Sequence, residues 1–454
     1  MNHEQPRAGF NRRQLTALGL ASAFTSACAH APRAEPTCND AFYFCFPIFE
    51  FARTAWQAAA PSARYPEGRY NRLAHRTTLA DHTARSVTTP NNDTVYSSMR
   101  LDLSLGPIEI DVPSVTDRYF SVALMNCFTD NFAYVGTRTT QGRGGRYLVT
   151  PPGWHGSSDI AAAVHTIASP TNDAWLLARI LVDGEDDLPE ANAIQRQFNL
   201  VQAPSPLPPR IRPTTASDPA NLLDVVNEML ERNRADARVE RAAATLAPWG
   251  VRPGIQNAFA QLPADRREAW NRAAAESLHA MRAGFTAQGT SVNGWSYPPA
   301  EIGSERASDR VRATVALTGL AALEREEAIY ARCDHDATGA MLEGSHSYQL
   351  LIPGDVPAQA FWSLSLYTAE SDGRLFFAEN TLRRYSLGNR SPNLVKRSDD
   401  AVRILIQHVQ PQTEAGNWLP TPPGPFALVF RFYLPSSPLL AGTWRLPAVE
   451  KSVP

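Results

Sequence analysis

Apolar residues recur along this chain in three successive textures. Between Phe42 and Ala60, aromatic side chains mix with Ala and Trp56 in a pattern that predicts a helix, and Pro61 with Ser62 opens an irregular connection. From Val95 to Val149 the period shortens to alternation, as in Ile108-Glu109-Ile110-Asp111-Val112 and Tyr119 to Leu124, and predicts strands punctuated by Pro, Asp and Gly. Gln141-Gly142-Arg143-Gly144-Gly145 reads as a hairpin turn. A phosphate-cradling loop would need a helix directly after it, whereas Arg146 to Val149 continues as a strand. Between Ser217 and Arg332 the apolar positions return to helical spacing at Leu222, Val225, Val226 and Met229, with Asp218-Pro219 as cap and first-turn proline. Further helices are expected across Asp265 to Phe285 and Ser308 to Tyr330. Strand alternation resumes at Tyr348 to Ile352, Ala360 to Tyr367, Val402 to Val409 and Phe426 to Tyr433, and the chain from Pro435 onward reads as an extended tail. The pattern therefore predicts an α+β protein: a β-rich domain over 38–210, a helical segment over 216–332, and a second β domain over 333–454, the β parts being sandwich-like or jelly-roll-like.

The first thirty-one residues do not fit this scheme. Arg12 and Arg13 precede a modestly apolar run from Leu15 to Ala27 that ends in small residues, and Asn11 to Leu15 resembles the twin-arginine export motif. Ala27-Cys28-Ala29 and Ala29-His30-Ala31 both resemble peptidase sites. Thr25-Ser26-Ala27-Cys28 is a poor lipobox, so a lipid on Cys28 is not favoured. No later stretch reaches the roughly 20 consecutive apolar residues that a spanning helix needs. A periplasmic or secreted protein is expected, touching the membrane only through this leader or a lipid on Cys28.

Charge and cysteine content narrow the partners. With 43 basic and 45 acidic residues the net charge is -2, and no Lys/Arg-rich run creates a local footprint for nucleic acid. Beyond Cys28, four cysteines remain: Cys38, Cys45, Cys127 and Cys333, in a compartment where disulfides persist. Cys38 with Cys45 would close the shortest loop, but Cys45 sits in an apolar run that equally suits a buried thiol. No metal and no cofactor are expected, because Cys-x-x-Cys spacing is absent and the histidines, among them His75, His82, His335 and His346, are scattered.

Several ordered motifs carry a family resemblance. Thr89-Pro90-Asn91-Asn92-Asp93-Thr94-Val95-Tyr96, then Asp117-Arg118-Tyr119-Phe120 and Pro152-Gly153-Trp154, resemble the domain of unknown function 1254. Phe361 to Tyr367, Asn417-Trp418-Leu419-Pro420, Gly424-Pro425-Phe426, Arg431-Phe432-Tyr433 and Gly442-Thr443-Trp444 look like its companion domain 1214. The resemblance implies a bacterial, often exported protein built on sandwich or jelly-roll domains, and it implies architecture rather than mechanism. The turn Cys333 to Gly339 departs from the family pattern by extra polar residues.

Candidate chemistry gathers at two places. Asn91, Asn92, Asp93, Thr94 and Tyr96 place amides, a carboxylate and a phenol within six residues after a proline, which suits either a polar-ligand site or a turn whose side chains bond neighbouring amides. Asp130 and Asn131 follow a strand end, and Arg138 lies shortly beyond; Arg118 and Arg138 equally suit ion pairs with the carboxylates. Asp93 paired with Asp130 would supply the two carboxyl groups of glycoside hydrolysis. Trp418, in a Pro-rich loop, is the best placed of the C-terminal aromatics to stack on a sugar, and Arg431 between two phenylalanines is expected either to be buried with a carboxylate or to line a pocket. No Gly-x-Ser-x-Gly elbow occurs. The expected function is thus an exported envelope protein, either a hydrolase acting on carbohydrate or a noncatalytic ligand-binding or assembly protein. Its partner would be a carbohydrate or another small polar ligand, and its β faces are compatible with a homo-oligomer.

Overall fold

The computed structural model describes residues 35–85, 88–156, 164–284, 289–370 and 374–452; the leader with Arg12, Arg13 and Cys28 lies outside them. Helix covers 25% and strand 28% of the chain, in several antiparallel and mixed sheets, so the α+β class holds. Residues 36–454 form one unit.

The first helix, Cys38–Ala59, starts where Thr37 and Asp40 cap each other's backbone N–H groups, satisfying two donors that the first turn leaves free. It carries Pro47 in its interior, buried among Phe42, Phe46 and Phe49. These rings do not pack on the nearby strands alone. They join Leu222, Val226 and Met229 of helix Pro219–Arg232, Trp270 of helix Ala264–Gly284 and Ala313 of helix Asp309–Gly319 in one apolar cluster. Helices far apart in sequence thus make a single layer.

Two sheets precede the middle helices. One runs in the order Ala74–Arg76, Thr94–Asp102, Asp173–Leu181, Phe120–Asn126 and Asn131–Gly136, every neighbour antiparallel. The other, His165–Ala168, Gly145–Thr150, Ile108–Val112 and Asn199–Gln202, shares a core with it through Val95, Met99 and Leu101 against Ile108, Ile110 and Val112. Because side chains alternate along a strand, the opposite face of the first sheet presents Tyr96 and Ser98 beside Arg179 and Leu177, their cross-strand partners. The Gln141–Gly145 segment is a turn that follows the short helix Thr137–Thr140, and the strand Gly145–Thr150 leaves it directly, as expected. It is not a hairpin: Asn131–Gly136 before it and Gly145–Thr150 after it belong to different sheets, the latter pairing with Ile108–Val112.

The C-terminal half repeats the arrangement. Ala328–Cys333, Phe426–Pro435 and Ala358–Ala369 are the centre of a seven-stranded sheet, and a four-stranded sheet of Trp418–Pro420, Val402–Gln407, Tyr348–Ile352 and Glu450–Lys451 shares its core through Leu364, Phe430 and Phe432 with Leu350 and Ile404. The helix expected from Ser308 to Tyr330 stops at Gly319. Its second half instead enters this sheet, where Ala328–Cys333 pairs with Phe426–Pro435 and sends Ile329, Ala331 and Cys333 into the core. Pairing with the neighbouring strands outweighs the charged, helix-favouring stretch before it.

The four cysteines are buried free thiols. Cys38 and Cys45 share one helix, and seven residues of rise separate them by about 10 Å, too far for a disulfide. Burial pushes the Cys38 thiol up to about 12 and the Cys45 thiol well above its ordinary value.

Candidate functional site

The segment from Thr89 to Tyr96 crosses the junction between the two β-rich halves. Within the segment, the Asn91 carboxamide oxygen accepts from the Asp93 N–H at 2.6 Å, an Asx turn of the kind the sequence suggested. The remaining side-chain hydrogen bonds of Asn91, Asn92 and Asp93 reach the far half. Asn91 Nδ2 donates to the Tyr433 hydroxyl at 2.6 Å, Ser386 Oγ donates to Asn92 Oδ1 at 2.9 Å, and Ser363 Oγ donates to Asp93 Oδ2 at 2.6 Å. The carbonyls of Thr89 and Pro90 accept from Arg431 Nη2 and the Tyr367 hydroxyl, at 3.2 and 2.7 Å. Beside this clasp, Phe361 stacks on Tyr433 with centroids 4.0 Å apart, and Tyr119 packs against both rings. Burial raises the Asp93 pKa, while the Arg431 guanidinium and the two serine hydroxyls act the other way.

A cavity of about 550 Å³ opens next to the clasp. The first sheet contributes Tyr96, Ser98, Trp175, Leu177 and Arg179; the end of helix Asp309–Gly319 and the turn after it contribute Leu317 to Ala322; the C-terminal sheet contributes Tyr330, Val429 and Arg431. The lining is mainly apolar, which suits a small organic molecule rather than bulk water. Arg179 is 6% exposed. Its Nη2 donates to the Ala321 carbonyl at 2.8 Å, and its guanidinium lies 5.6 Å from the Tyr96 ring centroid. A second cavity of about 520 Å³ lies on the other side of the clasp, lined by Asn92, Asp93, Ser363, Ser386 and the Asp183–Arg390 ion pair among others.

The expected site residues divide accordingly. Asn91 and Tyr96 line the larger cavity, whereas Asn92 and Asp93 line the smaller. Asp130 does not join Asp93. Val95 is level with Ile180 and Phe120, while Leu101 is level with Ala174 and Asn126. Asp93 lies beyond the first row, and the carbonyl of Asp130 accepts from the Asn126 N–H at the last. The two carboxylates therefore stand at opposite ends of the sheet, about eight residue rises or roughly 25 Å apart, beyond the separation that glycoside hydrolysis requires. Asp130 is instead held by Arg238 and by Arg312, whose Nε lies 2.7 Å from Oδ1. Asn131 Nδ2 donates to the carbonyls of Gly303 and Ala322 at 3.1 and 2.9 Å.

The arginines suggested as partners for these carboxylates pair elsewhere, Arg118 with Asp187 at 2.7 Å and Arg138 with Glu327 at 2.6 Å. Trp418 is not an exposed platform: it is 7% exposed and its indole N–H donates to the Gln407 carbonyl at 2.8 Å. Among the described residues no three His, Cys, Asp or Glu side chains gather as a metal site. Arg431 is buried near the Asp93 carboxylate and also lines a pocket, so both outcomes its sequence context allowed are met. Arg179 escaped notice, although a lone charge inside the apolar run Ala174 to Val182 was a signal available in the sequence.

Comparison with known families assigns residues 70–202 to the family described as "Protein of unknown function (DUF1254)" and residues 327–437 to "Protein of unknown function (DUF1214)". The chain therefore belongs to the proteins that carry these two domains in tandem, in the order read from its motifs. A crystal structure of the VPA0106 protein from Vibrio parahaemolyticus shares the fold, with a TM-score of 0.69 at 21% identity over 92% of this chain and 99% of that one. A putative uncharacterized protein from Burkholderia cenocepacia aligns over 91% of this chain and 88% of its own at 12% identity, with a TM-score of 0.44. No curated protein matches the chain.

Proposed function

We propose that this protein is a noncatalytic binding protein whose cleft, between its DUF1254 and DUF1214 halves, encloses a small molecule with an apolar body. The observation that carries this reading is the cavity of about 550 Å³ to which both halves and the intervening helical segment contribute side chains. Pockets of this size at the junction of domains are where small ligands are ordinarily enclosed. The hydrolase reading loses its main support with the separation of Asp93 from Asp130. Among the described residues, the polar cavity beside Asn92 and Asp93 is the place that suits a carbohydrate.

Calorimetric titration of the purified chain with a panel of apolar small molecules and soluble glycans tests the reading. Leu177→Trp, which narrows the larger cavity beside Trp175 and Arg179, is expected to weaken binding of the apolar ligands with little change in melting temperature. Unchanged binding in that variant, or binding of glycans alone, would refute the assignment. We further infer export by the twin-arginine route from Arg12-Arg13 and the apolar run behind them. Replacing both arginines by lysine should leave the full precursor in the cytoplasm of the host; processing at the wild-type rate would contradict it.

A further inference from the structure

The charge around the larger cavity is one-sided. Among the described residues seven arginines and no acidic residue line it. Arg76, Arg282 and Arg374 stand at its exposed rim, whereas Arg179 and Arg431 are 6% and 3% exposed. Arg431 is neutralised in part by the buried Asp93 nearby and bonded to Ser365, Tyr367 and the Thr89 carbonyl. Among the described residues Arg179 makes no ion pair with a carboxylate. The ionisable groups that act on it most strongly are the phenols of Tyr96, Tyr330, Tyr119 and Tyr433, with that of Tyr134 also within its reach. Burial pushes those of Tyr330, Tyr119, Tyr433 and Tyr134 upward, so they remain neutral at physiological pH. Its Nη2 caps the Ala321 carbonyl, but Nη1 is buried with no hydrogen-bond partner. A buried cation left with half its fork unused is costly, and folds ordinarily pair it.

We infer that the cleft takes an amphipathic organic acid, its carboxylate beside Arg179 and its aliphatic or aromatic body against Trp175, Leu177 and Leu320. This rests on the cleft being the binding site and adds the chemical class. A carboxylate would supply the missing counter-charge, and the hydroxyls of Tyr96 and Tyr330, which line the cavity, are donors suited to its second oxygen. The rim arginines would draw the anion in, an attraction that weakens with salt. Acyl chains and aromatic acids share this chemistry, so both belong in the test.

Equilibrium binding of decanoate and 2-naphthoate is measured beside decan-1-ol and 2-naphthalenemethanol, using the wild-type chain, Arg179→Gln and Arg179→Lys. In the wild type each acid should bind at least tenfold more tightly than its alcohol. Arg179→Gln should erase that preference, bringing acid and alcohol to equal affinity, and Arg179→Lys should retain part of it. Equal affinities for acid and alcohol in the wild type overturn the inference and leave the cleft reading standing. A preference that survives Arg179→Gln also overturns it, whereas failure of all four compounds to bind removes the cleft reading itself. The wild-type ratio decides the matter if Arg179→Gln does not fold. Preference for decanoate with equal affinity for the two naphthyl compounds assigns the source to acyl chains, and the reverse assigns it to aromatic acids.

Discussion

Asp93 and Asp130 are both buried carboxylates at strand ends, yet their surroundings give them different work. Asp93 accepts from serine hydroxyls across the junction of the two halves, and Asp130 neutralises two arginines brought from the helical segment. Removing the Asp130 carboxylate leaves Arg238 and Arg312 with Asp236 and Asp309 as their remaining carboxylate partners and with donors unsatisfied where it stood, so Asp130→Ala should cost about 1–3 kcal/mol of unfolding free energy. Urea titration measures this directly. A loss well below that range would mean that Asp236 and Asp309 suffice for the two arginines. Both residues were visible in the sequence as polar groups beside apolar strands. Their partners were not, because Arg312 lies 182 positions from Asp130 and Ser363 lies 270 positions from Asp93. Local spacing identifies a group that must be satisfied without naming what satisfies it.

Among the elements, the glycine-rich turn shows most directly how a local motif serves the fold. Gly142 has a φ of +76°, and a Cβ there would lie 2.2 Å from the Val115 carbonyl oxygen. Gly142→Ala should therefore destabilise the protein by more than about 1 kcal/mol, since the substitution adds both a left-handed backbone cost and a clash with main chain. Thermal and urea melts check it; a neutral result would show that the turn relaxes. The turn was legible because glycine clustering between alternating runs has few other meanings. The end of helix Asp309–Gly319 was not. Beyond Gly319 the residues Glu324 to Arg325 are helix-compatible, and only pairing of Ala328–Cys333 between two other strands makes that segment β. The Cys38 and Cys45 alternatives were likewise settled by an element, the helix that carries both thiols.

At the scale of the whole molecule, the Thr89–Tyr96 clasp and the stacked Tyr119, Phe361 and Tyr433 make each half a partner in the other's burial. Residues 36–454 should unfold in one cooperative transition, observed as a single calorimetric peak whose van't Hoff and calorimetric enthalpies agree. Two separated peaks would show that the clasp does not couple the halves. Saturating ligand in the cleft should raise that transition, by about 2.7 kcal/mol at one hundred times the dissociation constant. The sequence by itself determined the α+β class, the order of the two domains and several strands, among them Ile108–Val112, Tyr348–Ile352 and Phe426–Pro435, because helical and alternating periodicities are properties of neighbouring residues. It also marked Asn91 to Tyr96 as a place where polar groups are concentrated. Only the tertiary structure decided that these groups join two halves, that Asp93 and Asp130 stand far apart, and that Arg179 is buried beside a cavity without a counter-charge. Those facts depend on contacts between residues distant in the chain, where burial and charge compensation are decided by the packing of whole sheets rather than by the run of residues within one.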